Sequence, residues 1–196
     1  MNKIKIYTKV GDRGRTALLN GKKVSKSHPR VEVYGEVDEL NSHVGCLAAL
    51  LINDVRNTQS ISILRQVQSC LHVLASQLAC PPGERKKFKL PSLPENITTL
   101  LEVEIDLMDN ELPQLQHFVL PGGHIHASYS HICRSICRRL ERKLVNLAVS
   151  KKGEVPPENL SFVNRLSDYF FVLARWLNHQ NGVEEKQWPE ESGICN

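Results

Sequence analysis

Five stretches of this sequence set apolar residues three and four positions apart, the period at which one face of an α-helix turns toward a core. The first runs through Val33, Val37, Leu40, Val44, Leu47 and Leu51, and the second through Ile61, Leu64, Val67, Leu71, Leu74 and Leu78. Ile97, Leu101, Ile105, Met108 and Leu112 form a weaker third. Ile125, Tyr129, Ile132, Ile136, Leu140, Leu144 and Leu147 carry the fourth, and Leu160, Val163, Leu166, Phe170, Leu173 and Leu177 the fifth. Such stripes are stable only when they bury one another, so the expected fold class is all-α, an up-and-down five-helix bundle. Turn formers fall between the stripes, at Asn53–Ser60, Cys80–Glu95, Pro121–Gly123 and Gly153–Pro157. Residues 1–30 lack the helical period and carry Gly11, Gly14 and Gly21, which predicts an extended or looping N-terminal arm. After Asn181 the chain is polar, and residues 182–196 are expected to fray. With 41% apolar residues in a chain of 196, one domain over residues 1–196 can bury its own core.

Several classes of function are disfavoured at once. The longest apolar runs, such as Leu47–Ile52, fall far short of the roughly 20 residues a membrane-spanning helix needs. Met1–Val10 is too short and too charged for a signal peptide, which predicts a cytoplasmic protein with no membrane partner. Six scattered cysteines do not make a secreted disulfide framework, so they are expected to be reduced. A net charge of +4 suits a small anionic ligand better than a nucleic acid, despite basic clusters at Lys22-Lys23, Lys26, Arg30 and Arg85-Lys86-Lys87. Little aromatic surface accompanies those clusters, so no nucleic-acid partner is expected.

Two motifs point to phosphate. In Tyr7-Thr8-Lys9-Val10-Gly11-Asp12-Arg13-Gly14-Arg15-Thr16, glycines alternate with hydroxyls and cations, a composition that lets backbone N–H groups wrap phosphate oxygens. It is not a Walker loop, since no Gly-Lys-Ser/Thr follows, and an ordinary basic hairpin has the same composition. On the fourth helix Arg134, Arg138 and Arg142 lie four apart, with Glu141 on the same face and Arg139 beside them. Forked guanidinium donors gathered in this way suit a triphosphate, while the plain alternative is a solvated helix face. Asp38, Glu39, Asn41 and Ser42 on the first helix, with Asn164, Asp168 and Arg175 on the fifth, can converge with them on one site, Asp38 pairing with an arginine. Cys133 and Cys137, near His124, His126 and His131, form a competing metal-site pattern, though their spacing is not that of a zinc knuckle.

Taken together, four ordered segments resemble the PduO-type ATP:cob(I)alamin adenosyltransferases. They are Tyr7–Gly14, Arg30–Ser42, Phe118–Gly123 continuing to Cys137–Arg142, and Asn164–Phe171, so the likeness spans nearly the whole chain. The resemblance implies a homotrimer with active sites at subunit boundaries and transfer of the 5′-deoxyadenosyl group of ATP to cob(I)alamin. It implies that the arm folds over ATP through Thr8, Lys9, Gly11, Gly14 and Thr16. It further implies that Arg134 and Arg138 serve the active site, Arg138 as a phosphate ligand, and that Asp38 pairs with Arg134. Glu141 would hold Mg²⁺, Asn164 would contact the nucleotide, and Phe118 would close off the lower face of the corrin. A reductase and an adenosylcobalamin-dependent enzyme are the implied partners. His124-Ile125-His126 departs from the family, which more often has small or hydroxyl residues after the Pro-Gly-Gly turn. A module that binds ATP or adenosylcobalamin without turnover is the alternative from another class.

Overall fold

The computed structural model describes residues 7, 9–150 and 154–188. Five helices appear where the apolar period places them: α1 (Pro29–Leu51), α2 (Thr58–Ala79), α3 (Ile97–Asp109), α4 (Ile125–Ser150) and α5 (Pro157–Gln180). Their starts follow local chemistry. Pro29 occupies the first turn of α1, where its missing N–H costs nothing, and the His28 ring accepts a hydrogen bond from the Arg30 N–H at 3.2 Å. Pro157 opens α5 in the same way. Helix α2 begins at Thr58, inside the stretch expected to be a turn, because Asp54 organises the connection: its carboxylate accepts from the Arg56 N–H and starts a single 3-10 turn.

Helix α4 packs against α5 and α1, α1 against α2, and α3 against α5. Helix α5 puts Phe162, Val163, Leu166, Tyr169, Phe170, Leu173 and Leu177 in the core; its first half keeps an exposed face through Ser161, Asn164 and Asp168, and from Tyr169 to Asn178 it is buried on almost every side. No helix of the described residues is long and apolar enough to cross a membrane.

Helix α2 returns beside α1, so that Arg30 at the start of α1 reaches the Leu78 carbonyl at the end of α2. The Asn159 amide near the start of α5 donates to Gln77, at the same end. At the other end His43 and Tyr129 meet across α1 and α4 at 2.9 Å, and Arg56 donates to the Gln180 carbonyl.

The arm and the tail carry more structure than expected. Val10–Arg13 forms a 3-10 turn, and β1 (Arg15–Ala17) pairs antiparallel with β2 (Lys23–Ser25). This hairpin is fixed to the bundle by the Leu19 N–H to the Ala79 carbonyl, by the Asn20 amide to Glu84, and by burial of Leu18 and Val24. Residues 182–188 of the tail are held: β4 (Gln187–Trp188) pairs with β3 (Phe118–Val119), and Glu185 binds Arg175, while residues 189–196 lie outside the described residues. A polar stretch reads as mobile in sequence, but here a buried arginine and an open strand edge hold it.

Candidate active site

The arginine stripe separates into two kinds of residue. Arg139 turns toward α1, where Glu36 and Glu39 accept from its guanidinium at 2.7 and 2.6 Å, and Lys143 one turn later shares Glu36 and Glu32. These are structural pairs, and they hold the Glu36 carboxyl below the usual range, through hydrogen bonds from Lys143 and Arg139 that outweigh its desolvation. Arg134 and Arg138 have no such carboxylate: neither enters an ion pair among the described residues. Arg134 is half-buried with its Cζ 5.9 Å from the centre of the Phe171 ring, and its Nε is buried without a hydrogen-bond partner. Burial first, and the positive charge of Arg138 second, lower the pKa of Arg134. Two neighbouring positive charges with no carboxylate between them make a place for an anion. Arg142 donates to the Arg138 backbone carbonyl, and the Arg138 residue itself is exposed.

One turn beyond Arg138, the Asn164 amide of α5 donates to one oxygen of Glu141 at 2.8 Å. This bond brings Glu141 and Asn164, given separate roles by the resemblance, together across α4 and α5. Asp38 is not brought to Arg134 within the chain: it lies exposed on α1 and enters no ion pair among the described residues. Asp168 binds Arg165, which also binds Glu102. Arg175, expected to converge on the site, is instead buried beneath Glu185, Asp109 and the Pro113 carbonyl, and serves the fold.

In the arm, Lys9 adopts a left-handed conformation (φ 59°), and Gly14 does so at φ 70°. The Gly14 N–H turns back to the Gly11 carbonyl, and Thr16 lies half-buried in β1 opposite Val24. Thr8 lies outside the described residues. The arm is fixed at the end of the bundle where α1 begins and α2 finishes.

Phe118 lies at the opposite end, just before α4, and is no core aromatic: 82% of it is exposed. Trp188 faces it across the ribbon, and the two rings with Leu115, Gln116 and His117 line an open apolar cavity of about 530 Å³. Large exposed aromatic surfaces are uncommon in a folded chain and mark binding faces.

Residues 6–177 match the protein family described as cobalamin adenosyltransferase. The chain is 40% identical to the corrinoid adenosyltransferase of Bacillus subtilis over 191 residues, covering 97% of this chain and 95% of that protein. The chain belongs to the cobalamin adenosyltransferase family. It is also 36% identical to the corrinoid adenosyltransferase MMAB of Homo sapiens over 184 residues, 93% of this chain and 72% of that one. A variant of the PduO-type ATP:corrinoid adenosyltransferase from Lactobacillus reuteri, complexed with cobalamin and ATP, matches the fold with a TM-score of 0.86 at 35% identity, covering 95% of this chain and 100% of that one.

The competing metal pattern in this member of the cobalamin adenosyltransferase family does not assemble. Cys133 and Cys137 are fully buried in the core, the Cys137 thiol facing the Val163 carbonyl, and no group of three metal-binding side chains forms among the described residues. His131 was legible only as part of that pattern, yet it has its own setting: 3% exposed, ring against Phe171, both nitrogens without a hydrogen-bond partner among the described residues. Burial, and then the nearby Arg134 charge, push its pKa down to about 4. The unfolded imidazole takes up a proton near pH 6.5 that the folded one refuses, so stability is full above about 6.5 and falls as pH drops toward about 4. His131→Gln should therefore show a shallower fall in Tm between neutral pH and pH 4.5. An identical slope in both proteins would remove this account.

Proposed function

We propose that this chain catalyses transfer of the 5′-deoxyadenosyl group from ATP to cob(I)alamin, giving adenosylcobalamin and triphosphate. The observation that carries the reading is the division of the stripe: Arg139 is neutralised by Glu36 and Glu39, while Arg134 and Arg138, near the Glu141–Asn164 hydrogen bond, enter no ion pair among the described residues. Cobalt attacks the 5′-carbon, the C–O bond to the triphosphate breaks, and negative charge gathers on the leaving group. Guanidinium groups aimed at that group stabilise the transition state more than the ground state. In this reading Arg138 binds phosphate, Asn164 contacts the nucleotide, and Thr8, Lys9, Gly11, Gly14 and Thr16 form a flap over ATP. Glu141 has one oxygen engaged by Asn164 and a second outside that bond, which suits a hard cation that takes one carboxylate and completes its shell with phosphates and water. Glu141 would hold Mg²⁺ there, and the ion would supply positive charge against the phosphates.

One chain does not complete this site, because the arm and Phe118 mark opposite ends of a bundle whose α4 alone is about 39 Å long. A homotrimer with active sites at its boundaries supplies the missing neighbours, with Asp38 of one protomer meeting Arg134 of its partner. The free Cys46, Cys70, Cys80, Cys133 and Cys137 suit a reducing cytoplasm, where a reductase delivers the corrinoid and an adenosylcobalamin-dependent enzyme takes the product.

Phe118 addresses the harder step, reduction of Co(II). An axial water or base makes that reduction less favourable, and a ring without a lone pair shields the lower face and favours the four-coordinate ion. The test is an anaerobic spectroscopic assay with ATP, Mg²⁺ and cob(I)alamin generated by a chemical reductant: formation of adenosylcobalamin and triphosphate is expected, and binding without turnover would favour a carrier. Phe118→Ala should slow the reaction more from cob(II)alamin than from chemically pre-reduced cob(I)alamin. Equal defects would remove the coordination argument.

A further inference from the structure

Phe118 is carried on a ribbon of two paired residues per strand, far too short to hold an exposed ring in place by itself. Its anchorage lies on the last turns of α5. Asn178 is 2% exposed and contacts both the turn after β3 and the segment leading to β4, the latter being held as well by the Arg175–Glu185 pair. Its side-chain oxygen accepts from the His124 N–H at 2.9 Å and its amide donates to the Gly122 carbonyl at 3.1 Å, which clamps the turn that follows β3. Its own carbonyl accepts from the Val183 and Asn181 N–H groups at 3.0 and 3.1 Å, which starts the segment leading to β4. The Leu120 N–H then donates to the Lys186 carbonyl at 2.8 Å and closes the ribbon.

The turn is shaped around that side chain. Gly123 adopts φ +95°, and a Cβ placed there would come within 2.3 Å of the Asn178 oxygen. Only glycine allows both the conformation and the approach.

We infer that Asn178 is a positioning residue for the corrinoid step: by clamping the Gly122–His124 turn with its side chain and the β4 segment with its carbonyl, it fixes Phe118 where the ring can displace the lower axial ligand of cobalt. An aspartate in its place lacks the donor for Gly122, and an alanine lacks both turn contacts, while each keeps the backbone contact to β4. The ring is then free to swing on an exposed ribbon, and a displacement of about 1 Å is enough to lower a reaction rate by as much as 10²-fold.

This inference rests on the proposed role of Phe118, and the experiment separates the two. Parent protein, Phe118→Ala, Asn178→Ala and Leu120→Pro would each be mixed with cob(II)alamin, ATP and Mg²⁺ without oxygen, with a chemical one-electron reductant added where turnover is measured. The four-coordinate fraction would be read by electron paramagnetic resonance, alongside helix content and the KM for ATP. Leu120→Pro removes the ribbon hydrogen bond at an exposed residue without touching α5, and decides the matter should Asn178→Ala fail to fold. Expected are a four-coordinate fraction and a cob(II)alamin-dependent kcat each about tenfold lower in Asn178→Ala, a smaller fall in Leu120→Pro, and an unchanged KM for ATP. Cob(I)alamin-dependent turnover should stay near the parent value. If Phe118→Ala loses the four-coordinate species while folded Asn178→Ala keeps it, or Leu120→Pro keeps it where Asn178→Ala does not fold, the positioning role is overturned. If Phe118→Ala itself keeps the species, the reading beneath it has failed instead.

Discussion

Arg138→Ala is expected to lower kcat/KM for adenosyl transfer by roughly 10- to 150-fold, the equivalent of losing one charge-assisted contact of ~1.5–3 kcal/mol at the transition state. The fold should survive, because the Arg138 side chain is exposed and forms no ion pair among the described residues. Arg138→Lys keeps the charge but loses the planar fork, so its defect should lie between the two. The informative control is the neighbouring Arg139→Ala. It breaks contacts to Glu36 and Glu39 in a partly exposed network worth about 0–1 kcal/mol, and should leave transfer largely intact. The measurement is anaerobic kinetics over a range of ATP concentrations with helix content checked by circular dichroism. Near-parent turnover in Arg138→Ala, or equal defects at the two positions, would remove the division of the stripe as the basis of the function.

Glu154→Ala is expected to cost about 3–5 kcal/mol of stability, the largest effect of any single substitution considered. Glu154 and Arg30 are 7% and 4% exposed, and their side chains form an ion pair between the segment before α5 and the first turn of α1. The same guanidinium donates to the Leu78 and Cys80 carbonyls at 2.7 and 3.1 Å, and Arg85 donates to the Glu154 carbonyl and to the Gln77 carbonyl. Removing the carboxylate leaves a buried cation whose remaining partners are neutral, with a second arginine close enough to lower its pKa further after burial has done so. Glu154→Gln should cost less, since it keeps a hydrogen-bonding oxygen. The double substitution Arg30→Met/Glu154→Leu should recover part of the loss, because no isolated charge remains. Urea unfolding at one fixed protein concentration reads these differences, the concentration being held because assembly and stability are linked. A cost below about 1 kcal/mol for Glu154→Ala would mean that water reaches the pair.

The five helices were legible because the apolar period is a local property, and it needs only that each stripe find some other stripe to cover. The breaks at Cys80–Glu95 and Pro121–Gly123 were legible for the same reason: proline and glycine act on their own backbone. The arm was recognised as a glycine-bearing segment, but its hairpin depends on Leu18 and Val24 finding the end of α2, and no residue near them in sequence announces that contact. Residues 182–188 are ordered against expectation because their polarity is matched by Arg175, seated in a helix that looks like any other amphipathic helix until its remaining faces are covered. The exposure of Phe118 follows from no residue near it in sequence, since exposure is decided by what the rest of the chain fails to cover.

Composition and spacing alone determined that this chain is a helical bundle with a cationic face on its fourth helix and a glycine-bearing arm before its first. Only the tertiary structure decided which cations are free. Arg138 and Arg139 are adjacent in the chain and about 100° apart around the helix axis. That rotation turns one guanidinium into the glutamates of α1 and the other toward open space, and it acquires meaning only once α1 lies at a definite angle and height beside α4.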